Sequence, residues 1–319
     1  MKSFAGRDGK PLLTFYSDHF PIPLPPDHRF PINKYKLLRQ MIIAEQVIPE
    51  DDLRVPDAAT MEQICLAHES LYVQKVFNGS LSKREMRRIG FPWSPELVVR
   101  SQRSVGGTIA ACRSALVQGI SANLAGGTHH AHRDFGSGYC LFNDCAVAIK
   151  VLQQEHSIQR VIVVDCDVHQ GDGTAAIFQS DAAVFTFSIH GARNFPFHKE
   201  QSDLDIELED GTKDEEYLGA LEEGLSKAFT HFSAELVLYL AGADPFYDDR
   251  LGRLALTREG LAARDQLVFE FCHQTALPVA IVMAGGYARD VKDTAKIHKE
   301  TVQRAAEMCK TKFEEADAC

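Results

Sequence analysis

Short apolar runs alternate with amphipathic stretches along most of this chain, and this alternation predicts its fold. Five runs have the length and composition of buried strands. Helical periodicity fills segments between them, at residues 145–156, 214–232 and 257–275. Because strands separated by helices form parallel sheets, the pattern predicts an α/β fold with a mostly parallel sheet flanked by helices. The predicted strands are residues 120–125, 160–166, 182–189, 236–242 and 278–284.

The remaining segments complete one expected domain over residues 1–319. Helices are predicted at residues 34–48 and 96–118, and the second contains two poor helix formers, Gly106-Gly107. Five prolines in residues 20–33 predict an ordered surface loop. The expected domain consists of a motif core at about 120–290, an N-terminal loop and helices in 1–119, and a charged C-terminal helical tail at 293–319.

Composition and charge restrict the class of protein. A chain of 319 residues with 45% hydrophobic content can bury a substantial core. Its formal net charge of −10 argues against a nucleic-acid partner, because phosphate binding needs a basic surface. The first residues lack the apolar core of a signal peptide, and no apolar run approaches the roughly 18 residues that span a membrane. We therefore expect a soluble, cytoplasmic protein with no membrane partner.

Histidine, aspartate and tyrosine follow four of the predicted strands. The first strand runs into GGTHHAH (126–132), and the second into DCDVHQGDG (165–173). Two later strands run into GAD (242–244) and GGY (285–287). Because open α/β sheets bind ligands at the carboxyl ends of their strands, we expect the active site at this edge.

The run DCDVHQGDG has the residue types of a metal site. Residues two apart on an extended backbone point the same way, so Asp167 and His169 can reach one point. Asp244 follows another strand and is the natural third ligand. Three such ligands with one open position are typical of catalytic Zn²⁺, and this oxygen-rich set could also accept Fe²⁺ or Co²⁺. Each motif alone is more often a cap, a turn or a surface feature, and only their joint placement favours a metallohydrolase.

Six motifs resemble, in order and spacing, those of the zinc-dependent histone deacetylases and their bacterial deacetylase-like relatives. The resemblance covers about residues 15–300. The HQGDG variant and the short chain look most like the class IV branch and its bacterial counterparts. The motifs are GGTHHAH, SGYCLFND (137–144), DCDVHQGDG, FSIH (187–190), GAD and GGY.

The resemblance implies an amidohydrolase that removes acetyl or longer acyl groups from N-ε-acyl-lysine, with one Zn²⁺ per chain. His130 would be the general base and His129 its partner. Asp172 and Asp165 would orient these two histidines, respectively, and Tyr287 would donate to the developing oxyanion. The implied zinc ligands are Asp167, His169 and Asp244.

The resemblance also implies a narrow tunnel for the acyl-lysine side chain and a structural K⁺ site. Gly138 and Tyr139 would face Phe195 across the tunnel, with Leu251 at its rim and Gly286 also contacting substrate. The implied potassium residues are Asp165, Asp167, His169, Ser188 and Ile189.

Departures from the family pattern leave alternatives open. Thr128 replaces a common aromatic, and Gln170 replaces a second histidine. No clear counterpart of a substrate-gripping aspartate lies near residues 90–95, which puts the recognition of long peptides in doubt. The substrate could instead be an acetylated polyamine or another small amide, and an acidic residue at the tunnel mouth would favour polyamines.

Two further classes compete with the deacylase interpretation. A two-manganese, arginase-type enzyme would need Asp where Gly171 closes the Asp-x-His-x-Asp run. A non-catalytic acyl-lysine binding protein would be expected to lose a ligand, the base or the tyrosine, and none is lost. Acyl length and oligomeric state remain open.

Overall fold

The computed structural model describes residues 12–316, with side chains described as far as residue 309. Within this part of the chain, eight strands form one sheet, and every strand pair is parallel. The strands are β1 (Thr14–Phe15), β2 (Leu53–Arg54), β3 (Ile120–Asn123), β4 (Val161–Asp165), β5 (Val184–Gly191), β6 (Leu204–Leu208), β7 (Leu236–Leu240) and β8 (Val279–Val282).

The strand order across the sheet is β2-β1-β3-β8-β7-β4-β5-β6. Helices flank this sheet, so the predicted α/β class is confirmed. The helices are α1 (Asn33–Ala44), α2 (Met61–Ile64), α3 (Ser70–Asn78), α4 (Lys83–Ile89), α5 (Pro95–Gln118), α6 (Asp144–Gln154), α7 (Asp172–Phe178), α8 (Asp214–His231), α9 (Arg258–Gln274) and α10 (Val291–Ala316).

Apolar side chains on alternate residues of the central strands fill two cores, one on each face of the sheet. In β4, Val161 and Val163 pack into one core, whereas Ile162 and Val164 pack into the other. This two-sided burial explains why the central strands are continuous apolar runs rather than alternating ones. All five predicted strands are present, with ends that differ by a few residues from the predicted ones.

The elements that the sequence did not predict are short or lie at the edge of the sheet. Strands β1 and β2 have two residues each. Strand β6 is a half-exposed edge strand, LDIEL, whose charged side chains hide the strand pattern. Helices α2, α3, α4 and α7 have four to nine residues. The predicted tail helix is present as α10, and residues 317–319 lie outside the described residues.

The Gly106-Gly107 pair does not interrupt α5, which runs for 24 residues. A Cβ atom at Gly106 would lie only 1.8 Å from the carbonyl oxygen of Asp57. The glycine therefore serves the close approach of another backbone segment, rather than a bend in the helix. No helix within residues 12–316 is long and apolar enough to cross a membrane. That the whole chain is one domain stays a prediction.

Candidate metal and catalytic site

Three acidic and imidazole side chains converge where β4 and β7 end. One ligand atom from each of Asp167, His169 and Asp244 lies within 4.8 Å of the others, and all three residues are buried. His169 Nδ1 lies 2.9 Å from Asp167 Oδ1 and 3.3 Å from Asp244 Oδ2. Strands β4 and β7 are paired neighbours, which explains why residues far apart in sequence meet here. Within residues 12–309 this is the one such group of three.

Backbone amides orient the two carboxylates toward this point. The amide of Gly285 donates to Asp167 Oδ2 at 2.7 Å, and that of Val168 donates to Asp244 Oδ1 at 2.9 Å. Asp244 Oδ2 is buried and has no hydrogen-bond partner. A buried carboxylate oxygen without a donor is costly unless a cation binds it. The donor set and this orphaned oxygen therefore fit a divalent metal ion.

The electrostatics of Asp167 and Asp244 also fit a bound cation. Burial and the negative charge of Asp167 together raise the pKa of Asp244 to about 7. Two carboxylates this close oppose each other's ionisation, so a bound cation would stabilise the ionised pair.

The two adjacent histidines of the GGTHHAH run, His129 and His130, each have their own carboxylate partner. His129 Nδ1 lies 2.6 Å from Asp165 Oδ2, and His130 Nδ1 lies 2.6 Å from Asp172 Oδ1. The two rings are adjacent, with centroids 4.2 Å apart. The centroid of the His130 ring is also 5.8 Å from that of the His169 ring. The pair therefore lies beside the acidic cluster formed by Asp167, His169 and Asp244.

The two histidines differ in their charge state. Burial would lower the pKa of His129, but the adjacent Asp165 and Asp167 carboxylates outweigh it and raise this pKa to about 9. Burial and the neighbouring positive charge of His129 lower the pKa of His130 to about 4. Near neutral pH the His129 ring is therefore protonated, whereas the His130 ring is neutral and can accept a proton.

The loop that carries the histidines is fixed by Asn143 and Asp144, for which the sequence suggested no role. Asp144 accepts the amides of Gly127 at 3.0 Å and Thr128 at 2.7 Å. Asn143 caps α6 by accepting the amide of Ala146 at 2.9 Å. Both residues end the SGYCLFND motif, and that Asn-Asp pair before a helix was the available signal.

Tyr287 lies on the other side of the acidic cluster, with its ring centroid 6.5 Å from that of His169. Its backbone amide donates to Asp249 Oδ2 at 2.6 Å. Asp249 also accepts the amides of Leu251 and Gly252, so it ties the Tyr287 turn to the loop that carries Leu251. Sequence reasoning missed Asp249, because it belongs to no motif. Burial, with the negative charge of Asp244, raises the pKa of Tyr287 well above 10, so its hydroxyl stays protonated.

An open groove leads from the surface to the acidic cluster. Its lining includes His130, His169 and Tyr287. The predicted tunnel residues Gly138, Tyr139, Phe195 and Leu251 all line it. Gly138 has φ 53°, and a Cβ there would lie 2.5 Å from His130, so only glycine fits against the ring.

Gly286 and the residues predicted for potassium are placed differently from those of the groove. Gly286 does not line the groove, since a Cβ added to it would meet Thr294 and Ala243. Asp165 and Ser188 are register partners on β4 and β5, and Ser188 Oγ lies 2.9 Å from His190 Nδ1. Substrate contact by Gly286 and potassium binding stay predictions.

A second cavity borders Asp167, His169 and Tyr287 from the inside of the protein. Apolar side chains of the proline-rich loop, Ile22, Phe30 and Ile32, line it together with Leu97 of α5. The loop predicted to lie on the surface therefore also forms the wall of an internal space, and Phe30 is only 8% exposed.

Comparison with known proteins identifies the family. The histone deacetylase domain matches residues 28–304. An uncharacterized protein of Picosynechococcus sp. is 44% identical over 91% of this chain and 97% of its own length. Histone deacetylase 2 of Arabidopsis thaliana is 27% identical over 86% of this chain and 73% of its own length. An HDAC homolog from Aquifex aeolicus has a similar fold, with a TM-score of 0.82 at 24% identity over 93% of this chain and 84% of that chain.

The chain therefore belongs to the histone deacetylase family and is a hydrolase that acts on amides. The family resemblance and the enzyme class expected from the sequence are both confirmed. Acetylated compounds are the substrates of this family.

Proposed function

We propose that this hydrolase is a zinc-dependent lysine deacylase. The observation that carries the proposal is the meeting, at the inner end of one groove, of the Asp167–His169–Asp244 cluster, two histidine–carboxylate pairs and the Tyr287 ring. No single motif supplies this combination, which offers a metal site, a proton acceptor and an oxyanion donor for metal-assisted amide hydrolysis.

Zinc is the metal that we assign to the acidic cluster. Asp167, His169 and Asp244 would hold it, which leaves a coordination position free for substrate. Bound there, Zn²⁺ would supply Lewis-acid chemistry to the amide carbonyl and to the attacking water. The buried oxygen of Asp244 that lacks a hydrogen bond supports this assignment.

The chain's own side chains move the protons. His130 faces the groove and accepts the proton of the attacking water, while Asp172 holds its Nδ1 and so leaves Nε2 as the basic nitrogen. His129, paired with Asp165, carries positive charge beside the reacting centre and favours the negative charge that develops there. The Tyr287 hydroxyl donates a hydrogen bond to that developing oxyanion.

The shape of the groove supports an extended acyl-lysine substrate. Gly138 and Phe195 approach each other closely, since a Cβ on Gly138 would lie 3.2 Å from the Phe195 ring. An aliphatic lysine stem fits between such walls, and an acyl chain longer than acetyl would extend toward the apolar side chains of the inner cavity. A cytoplasmic location is also part of this proposal. So is a structural K⁺ site, which the family resemblance assigns to Asp165, Asp167, His169, Ser188 and Ile189.

The test is mass-spectrometric deacylation of a pooled panel of acetyl-, octanoyl- and myristoyl-lysine peptides with acetylated polyamines. Zinc-loaded protein is run beside Tyr287→Phe and His130→Ala. The matched controls are Tyr247→Phe, at a tyrosine that is 64% exposed, and His231→Ala, at an exposed histidine near the end of α8. Hydrolysis that both site variants lose and both controls keep is the expected result. A wild type that binds one zinc and cleaves nothing would overturn the proposal.

A further inference from the structure

The mouth of the groove is strongly basic. Four arginines and no aspartate or glutamate are among the residues that line it. The chain as a whole has the opposite bias, with 44 acidic against 34 basic residues. Charge of one sign concentrated at an entrance, against the net charge of the protein, determines which ligands are drawn to it. The four are Arg87, Arg88, Arg193 and Arg253.

Arg87 and Arg88 are held against the tunnel wall. Both belong to the last turn of α4, whose sequence KREMRRI contains four basic residues. The amide of Gly138 donates to the carbonyl of Arg88 at 3.2 Å, and that of Tyr139 donates to the carbonyl of Ile89 at 2.7 Å. The end of this helix is therefore bonded to the residues that form one wall, which fixes the two arginines at the entrance.

Arg87 and Arg88 carry positive charge that no carboxylate of residues 12–309 offsets. Both side chains are exposed, and no carboxylate of the described residues lies within 4 Å of either guanidinium. The guanidinium of Arg88 instead stacks on the ring of Phe135, at 4.3 Å from its centroid. This contact orders the side chain but leaves its charge available to a ligand.

On the opposite wall, the carboxylates of Glu209 and Asp210 compensate the charge of the two arginines. Arg253 lies 3.1 Å from Asp210, and Arg193 lies 3.8 Å from the same carboxylate. Asn194 joins these arginines to the groove, because its side chain bonds the amide of Arg253 and the carbonyl of Leu251. The excess charge therefore lies on the Arg87–Arg88 side of the mouth.

We infer that the mouth selects acyl-lysines that lie in acidic polypeptide segments and disfavours cationic small amines. This inference rests on the proposed deacylase function. Once the acyl-lysine stem occupies the tunnel, the flanking residues of the substrate must pass over Arg87 and Arg88. There a carboxylate is attracted and a cation is repelled. The free amines of an acylated polyamine would bring positive charge to the same place.

The test compares three acyl-lysine peptides of one length, with acidic, neutral and basic flanks. The measurement is kcat/KM for each peptide at low and high salt, on zinc-loaded wild type and on Arg87→Gln/Arg88→Gln. The control is Arg113→Gln/Arg160→Gln, which removes the same charge from two exposed sites, one in the C-terminal half of α5 and one directly before β4. We expect an acidic-over-basic preference of roughly tenfold in wild type and control. This preference should fall to about twofold in Arg87→Gln/Arg88→Gln, and also in wild type at high salt.

Each other result has a definite meaning. Equal rates for the acidic and basic peptides in wild type would overturn the inference while leaving the deacylase function intact. A preference that survives in the Arg87→Gln/Arg88→Gln variant would also overturn it. If no peptide is cleaved, the deacylase function itself fails, and binding of the same three peptides, measured by fluorescence anisotropy, then decides the charge preference alone.

Discussion

Asp172 Oδ1 lies 2.6 Å from His130 Nδ1, and Asp172 is the first residue of α7. The neighbouring His129 has a partner at the same distance, but that partner, Asp165, is the last residue of β4. Two residues that are adjacent in sequence are thus held by two different elements. The orientation of each ring is thus held by a carboxylate of its own.

The first prediction concerns the carboxylate that holds His130. Asp172→Asn should lower kcat about 10- to 100-fold with little change in KM, because the ring loses the charge that fixes its tautomer. Steady-state kinetics on an acetyl-lysine peptide measures both constants. Asp181→Asn, at a surface aspartate paired with Lys150, is the control and should leave kcat unchanged. An unaltered kcat in Asp172→Asn would remove His130 from its role as base.

The second prediction concerns the metal cluster. Zinc should bind wild type at one ion per chain, and a thousandfold excess over Kd should add about 4 kcal/mol to the free energy of unfolding. Asp244→Asn should lose zinc, yet its metal-free form should be at least as stable as metal-free wild type. In the metal-free protein the Asp167 and Asp244 carboxylates oppose each other's ionisation, and the neutral amide removes this repulsion.

Elemental analysis and thermal unfolding with and without chelator test this second prediction. Asp248→Asn, at a partly exposed aspartate that pairs with Arg289, serves as the control and should keep full zinc content. If metal-free Asp244→Asn melts well below metal-free wild type, then Asp244 has a structural role that needs no cation.

The sequence predicted those parts of the site that lie directly beyond strands. Asp167, His169 and Asp244 follow apolar runs, and parallel pairing of β4 with β7 brings the ends of those runs together. The residues that it missed reach the site through tertiary contacts that leave no periodic signal. Asp249 lies in a loop, and Arg87 reaches the mouth only because the end of α4 bonds the tunnel wall.

The third prediction concerns His68, which hydrogen-bonds to the loop that carries His129 and His130 and to the start of α6. Its Nε2 accepts the amide of Asn143 at 2.9 Å, and its Nδ1 donates to the carbonyl of His132 at 2.9 Å. Only the neutral ring can do both, and burial lowers the pKa of His68 to about 4. The unfolded chain, with a histidine pKa near 6.5, binds this proton first as the pH falls.

His68 should therefore contribute stability that is present above pH 6.5 and lost between pH 6.5 and about 4. At pH 5 the loss is about 2 kcal/mol relative to pH 8. Urea unfolding at both pH values measures it, and His68→Gln should lose that much less on acidification. The control, His231→Gln, changes an exposed histidine and should follow wild type. Parallel losses in His68→Gln and wild type would contradict the assigned pKa.

The fourth prediction separates helix propensity from packing at two glycines. In an exposed helix interior, alanine is favoured over glycine by about 0.5–1 kcal/mol. Gly219 of α8 has nothing within 4 Å of its missing Cβ, so Gly219→Ala should stabilise the protein by that amount. At Gly106 of α5 the added methyl group would lie 1.8 Å from the Asp57 carbonyl oxygen. Gly106→Ala should therefore destabilise the protein by about 1–3 kcal/mol, because the backbone segment at Asp57 must move. Denaturant unfolding of the two variants should thus give opposite signs, and a stabilising Gly106→Ala would show that this approach of the two backbones is not tight in solution.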